Sequence, residues 1–147
     1  MIGVITNTVM SDPENHLIFK ALNELSKDTN CFLFTNIVQS LPCPHKFAIM
    51  QQVEALSHKG ILISTDIITS QILKNNLMAK KKYYYVWGPE WRNLSNFSPN
   101  QLGSIFYNDE VSLIARSVSH HSMLSGLFKE PEHVVYNWNV NEMRKIL

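Results

Sequence analysis

Polar or aromatic residues repeatedly follow short apolar runs in this sequence: Thr6-Asn7-Thr8, Thr35-Asn36, Ser64-Thr65-Asp66, Gly88-Pro89-Glu90-Trp91, Asn108-Asp109, Arg116-Ser117 and Asn137-Trp138-Asn139. In a parallel sheet, ligands bind beyond the carboxyl ends of the strands. If each run is a strand, these segments share one edge. They would form a polar rim with Trp91 and Trp138 as aromatic walls, which suits a hydroxyl-rich ligand. The candidates for ligand or partner binding are Asn7, Asp66, Glu90, Trp91, Asp109, Asn137 and Trp138. At any one position the plainer role is to cap a turn, since Asn, Asp, Ser and Thr do this routinely.

Other chemistry is poorly supported. No Gly-rich turn follows the first run and no P-loop Gly-Lys-Ser/Thr is present, so dinucleotide binding is not expected. Asp12 and Glu14 place negative charge where a first helix begins, which disfavours an anion there. His120 and His121 are adjacent, so on a helix they diverge by about 100° and cannot share a metal. Cys43-Pro44-His45 has no second ligand pair to make a zinc site. Ser119, His120 and Ser122 lie outside any Gly-x-Ser-x-Gly elbow. No catalytic residue, metal ligand or cofactor is assigned. The aromatic run Tyr83-Tyr84-Tyr85 with Trp87 lacks the interleaved basic residues of a base-stacking surface.

The positioning elements follow from periodicity. Met1–Thr6, Cys31–Val38, Gly60–Thr65, Tyr83–Trp87, Ile105–Tyr107, Leu113–Ala115 and His133–Tyr136 read as strands. Ser11 with Glu14 reads as a capping box for a helix carrying Leu17, Ile18, Ala21, Leu22 and Leu25 on one face. Ile49, Met50, Val53 and Leu56 read as a second helical stripe stopped by Gly60. Asp66 caps a third helix, whose carboxyl end carries Lys80, Lys81 and Lys82. Residues 88–103 read as a long loop, Ser117 caps a fourth helix, and Asn139–Leu147 is a last short one.

Strands alternating with helices, and strands apolar on both faces, predict an α/β fold: a mainly parallel, Rossmann-like sheet with helices on both faces, a three-layer sandwich. Residues 1–147 read as a single Rossmann-like domain. The first, second, third, fourth and seventh strands should be parallel, with Ile5, Leu33, Ile63, Val86 and Val135 buried.

Composition narrows the classes further. A content of 45% hydrophobic and 17% charged residues is too apolar for a disordered chain. With a net charge of +1 a basic face would have to come from local clustering, and the longest basic run, Lys80-Lys81-Lys82, is too little, so nucleic acid is not an expected partner. No run is long enough to span a membrane, and two cysteines make no disulfide framework. The first residues lack a signal-peptide pattern, which makes the cytoplasm the expected location. Asn93-Leu94-Ser95 and Asn96-Phe97-Ser98 fit the glycosylation pattern but carry no weight there. Fourteen Asn, thirteen Ile and ten Lys against three Arg fit an AT-rich genome, as in many viruses, in which case host cytoplasm or virion is the location.

Ile114-Ala115-Arg116-Ser117, a helix with His121 and Leu124, and Val134-Val135-Tyr136-Asn137-Trp138-Asn139 together resemble the end of the N-terminal half of GT-B glycosyltransferases. Gly60–Thr65 and Tyr84–Trp87 stand where that Rossmann-like half carries its middle strands. The chain departs from the family in having Trp138 where Gly is usual and no Gly-rich turn after the first strand. It ends ten residues after Asn137, without the half that binds the sugar-nucleotide donor.

The resemblance implies the acceptor side alone. The expected function is a non-catalytic binding or assembly module derived from such a half, viral if the composition is a guide. Its partner would be another protein or its own copies, with a sugar-like ligand as a further expectation. The alternative is the acceptor-side subunit of a split glycosyltransferase, an enzyme only with a partner chain. Asn7, Asp66, Glu90 and Asp109 would then line the acceptor side, with Asp66 or Asp109 as base.

Overall fold

The computed structural model describes residues 1–92 and 98–147. Its elements are β1 (Ile2–Ile5), β2 (Thr8–Val9), α1 (Pro13–Leu25), β3 (Cys31–Thr35), β4 (Ile37–Val38), β5 (Ala48–Gln51), β6 (Ile61–Ser64), α2 (Ile67–Asn75), β7 (Lys81–Val86), α3 (Pro99–Phe106), β8 (Ser112–Ala115), α4 (Val118–Leu127), β9 (His133–Val134) and α5 (Val140–Ile146). Short 3-10 turns cover Gln52–Ser57, Glu90–Arg92 and Tyr136–Trp138. Seven strands form one sheet in the order β5-β3-β1-β6-β7-β8-β9, and every neighbouring pair is parallel. β2 and β4 form a separate two-stranded parallel pair.

Successive residues of a strand point to opposite faces, and here both faces are apolar. Val4, Leu33, Ile63, Tyr83, Tyr85 and Ile114 pack with Ile18, Phe19, Leu22 and Leu25 of α1 and Met143 of α5. Ile5, Phe34, Leu62, Tyr84, Val86 and Leu113 pack with Ile67 and Leu73 of α2, Ile105 and Phe106 of α3, and Leu124 of α4. The fold is therefore the expected α/β sandwich. Ile5, Leu33, Ile63, Val86 and Val135 are all buried. Among the described residues no helix is long and apolar enough to cross a membrane.

Several local expectations are corrected. The stripe Ile49, Met50, Val53, Leu56 is not a helix: Ala48–Gln51 is edge strand β5, paired with β3, and a 3-10 turn follows. Gly60 is no helix cap. It lies where an added Cβ would come 2.2 Å from the Met1 carbonyl oxygen, so close backbone approach at the start of β6 explains it. α2 stops at Asn75, and Lys81 and Lys82 open β7 instead of ending a helix. The run Cys31–Val38 splits into β3 and β4. Ile105–Tyr107 is not a strand: Ile105 and Phe106 end α3, started by a Ser98–Gln101 capping box with Pro99 in its first turn. α1 is capped by Asp12 and not by Ser11. The run His133–Tyr136 supplies only a two-residue strand before turning. The Asn93 pattern, most of the Asn96 pattern and the middle of the expected 88–103 loop lie outside the described residues.

Candidate functional site

β1 is the point where strand order reverses: the chain moves from it to β3 on one side and later returns to β6 on the other. Diverging connections at such a point leave a crevice at the carboxyl edge. A cavity of about 350 Å³ opens there, lined by Thr6, Asn7, Thr8, Glu14, Thr65, Asp66, Trp87, Gly88, Pro89 and Glu90.

Local rules position each acid. Asp12 caps α1, its carboxylate accepting from the Asn15 backbone N–H at 2.8 Å and the Asn15 side-chain amide at 2.7 Å. That fixes the first turn of α1, which carries Glu14. Asp66 caps α2, accepting from the Thr69 N–H at 2.7 Å, while Thr69 Oγ1 accepts from the Asp66 N–H at 3.2 Å. Glu90 reaches across from the end of β7 and accepts from the Ile67 N–H at 3.0 Å. The first amides of α2 are thus occupied by the protein's own carboxylates. An external phosphate would find these amides taken and negative charge beside them.

Crowding these acids raises their proton affinity. Burial pushes the Glu14 carboxyl up to about 8, the charges of Glu90, Asp12 and Asp66 add to the rise, and Arg116 opposes it. Burial likewise pushes Glu90 up to about 7, opposed by the Ile67 N–H and reinforced by Asp66. Burial raises Asp66 too, held back by amides including those of Thr69 and Asn7. Two carboxyls that exchange protons near neutrality can therefore donate to or accept from a ligand hydroxyl.

Two polar groups among these residues lack a partner. The Tyr84 hydroxyl is fully buried, faces the Glu90 carboxyl, and closes no hydrogen bond of good geometry. Glu14 Oε1 is also buried and unpaired. The cavity wall beside them is Trp87, with the Arg116 guanidinium 4.4 Å from its ring centroid.

The chain matches no protein-family model, no curated protein and no solved structure.

Of the residues singled out in the sequence, Asn7, Asp66 and Glu90 meet in this cavity. The other four do not line it. Trp91 turns away from its neighbour Glu90 and packs edge-on against Phe106 and Phe128, at 5.6 and 5.1 Å between centroids. Asp109 follows a helix instead of a strand, so it lies before β8, at the amino edge. Its neighbour Glu110 there pairs with Lys82, at the start of β7, at 3.0 Å. Asn137 and Trp138 follow β9 in a separate corner. Trp138 is buried and stacked on Tyr85 at 4.4 Å. Both adopt left-handed backbone, with φ of 45° and 60°.

Glu14, Tyr84, Trp87 and Arg116 were missed as site residues. In the sequence Glu14 reads as half of a capping box and as negative charge that disfavours an anion, not as a site residue. The available signal was its place in the first helical turn after the central strand, since that turn faces the switch point. Among the described residues no three acidic, His or Cys groups are placed to hold a metal ion. Cys31 and Cys43 are free thiols.

Proposed function

We propose that the chain is a Rossmann-like binding module that takes a small hydroxyl-rich ligand, of the sugar or polyol kind, at the carboxyl ends of β1, β6 and β7. The observation that carries this reading is the meeting of Asn7, Asp66, Glu90 and Glu14 around one cavity at the switch point. Hydroxyls both donate and accept. Carboxyls near neutrality offer both functions, and Trp87 offers an apolar wall. The internal capping of α2 argues against a phosphorylated ligand. A module of this kind also contacts another protein or a second copy. Exposed Ile37 and Val38 of β4 and Leu41, close in sequence to edge strand β5, are the surface for that contact.

Thermal denaturation with a panel of neutral sugars and polyols tests the reading. A ligand at a hundredfold excess over its dissociation constant should stabilise the fold by about 2.7 kcal/mol. The shift should disappear in Asn7→Ala with Asp66→Asn. No shift with any member of the panel overturns it.

The perturbed carboxyls favour a second reading, the acceptor-side subunit of a split glycosyltransferase. Glu14 or Glu90 would then take the proton of the acceptor hydroxyl, and Asp109, at the opposite edge, would have no part. Turnover of a sugar nucleotide only when a donor-binding chain is added would favour it over the first.

A further inference from the structure

The cavity holds more acid than a neutral sugar needs. Glu14, Asp66 and Glu90 line it from three separate elements, and Asp12 stands behind Glu14. The cation acting on Glu14 is Arg116, whose guanidinium also lies over Trp87. Two polar groups remain unpaired. Glu14 Oε1 is a lining acceptor without a donor, and the fully buried Tyr84 hydroxyl faces Glu90 without closing a bond. A buried polar group without a partner costs about 1–3 kcal/mol, so the polar groups of this cluster are not balanced within the fold.

The chemistry that completes this set is specific. An anion is excluded, because the helix amides already hold carboxylates. A divalent ion is not matched, because among the described residues no three ligating groups close to its spacing. An alkylammonium carries three N–H donors on one charged centre, against three carboxyl groups reached from three sides. We infer that the ligand bears a primary ammonium beside its hydroxyls, an amino sugar or amino polyol, with the ammonium held among Glu14, Asp66 and Glu90. This rests on the binding reading above and narrows its ligand class.

Binding then carries a proton signature. Glu14 and Glu90 hold protons for much of the time at neutral pH, and each must release one to face an ammonium. The other groups facing these acids are Asp12, Asp66, Tyr84 and Arg116: the acids beside Glu14 oppose its ionisation, the Arg116 guanidinium favours it, and burial raises both Asp66 and the Tyr84 hydroxyl. His120, beside Arg116 on α4, is pushed below its ordinary value by burial and charges only at lower pH. Affinity for an ammonium should therefore rise with pH toward 8, by about tenfold per unit for each carboxyl that must ionise. Affinity for a neutral polyol should not.

Matched pairs test this on the full chain: 6-amino-6-deoxyglucose against glucose, and 1-amino-1-deoxysorbitol against sorbitol. Their primary amines stay protonated across the range, as alkylamines do near a pKa of about 10. Titration calorimetry is run at pH 6, 7 and 8 in buffers of different ionisation enthalpy. The expected result is an amino member at least tenfold tighter than its hydroxyl partner at pH 8, with protons released and the advantage shrinking toward pH 6. Glu14→Gln and Glu90→Gln replace a protonated carboxyl with a neutral group of the same shape. Each should erase the advantage of the amino member over its hydroxyl partner. Proton release by the wild-type chain is an independent readout if a variant fails to fold. Equal or tighter binding of the hydroxyl members overturns the ammonium inference and leaves the binding reading standing. If no member of either pair binds, both are overturned.

Discussion

Tyr84 and Tyr85 are neighbours on β7, both buried, and they face opposite sides of the sheet. Tyr85 belongs to the aromatic corner at the end of β9. Its hydroxyl donates to the Val135 carbonyl at 2.7 Å and accepts from the Trp138 N–H at 3.2 Å. Those two bonds hold the left-handed turn at Asn137 and Trp138 in place. Tyr84 lies behind the acidic cavity, and its hydroxyl faces Glu90 without closing a hydrogen bond of good geometry. Both regions lie at the carboxyl edge and both contain residues expected in one rim. One is packed by stacking and by the two Tyr85 hydrogen bonds, with the Trp138 indole N–H buried and unpaired. The other keeps unpaired polar groups beside an open volume. Position at the strand ends is thus not enough to make a site. Whether an open volume adjoins the unpaired groups decides it.

That contrast can be broken by substitution. Trp138→Ala should be the most damaging change, costing about 3–5 kcal/mol for the lost buried ring. Trp138→Gly should cost about 1 kcal/mol less than the alanine variant, because glycine accepts a φ of 60° without strain. Equal losses in urea unfolding would show that the backbone there carries no strain. Tyr85→Phe should cost about 1–3 kcal/mol, since it strands the Val135 carbonyl and the Trp138 amide.

The acidic corner should show itself through pH. Glu14 has its carboxyl raised from 4.5 to about 8, so the folded chain binds that proton more tightly than the unfolded one. Its stabilising contribution is complete below about pH 4.5 and is lost as pH rises through about 8. Between pH 5 and 8.5 the wild-type chain should lose about 1–3 kcal/mol that Glu14→Gln retains, read as diverging urea midpoints. Parallel pH profiles would mean that Glu14 is not held protonated. Tyr84→Phe should have the smallest effect, within about 0.5 kcal/mol and of either sign, because its hydroxyl closes no bond of good geometry. A loss as large as that of Tyr85→Phe would abolish the distinction between the corners.

Some of this was legible from residue patterns and some was not. Tyr83–Val86 and Ile61–Ser64 are apolar on both faces, which only a sheet covered on two sides can use, so the sandwich was readable. Asp66 and Ser117 were readable as caps, because capping depends on residues within one turn. Ala48–Gln51 was not readable as a strand, since a short apolar run fits either period and pairing with β3 decided it. Ile105 and Phe106 failed for the same reason, although Ser98, Pro99 and Gln101 carried a helix start. Trp91 and Trp138 read alike as aromatic walls. Their packing depends on Phe106, Phe128 and Tyr85, which no local pattern ties to them.

The sequence by itself determined the layers, the parallel sense of the main strands and the caps that open α2 and α4, because these follow from periodicity and from contacts within a turn. Only the tertiary structure decided which rim residues meet. Strand order is set by long-range pairing, and it brings Glu14 from the first helix beside Glu90 from the end of β7. Their shared proton affinity near neutrality exists in neither segment alone. It arises when burial removes water from both carboxyls and places each within the field of the others.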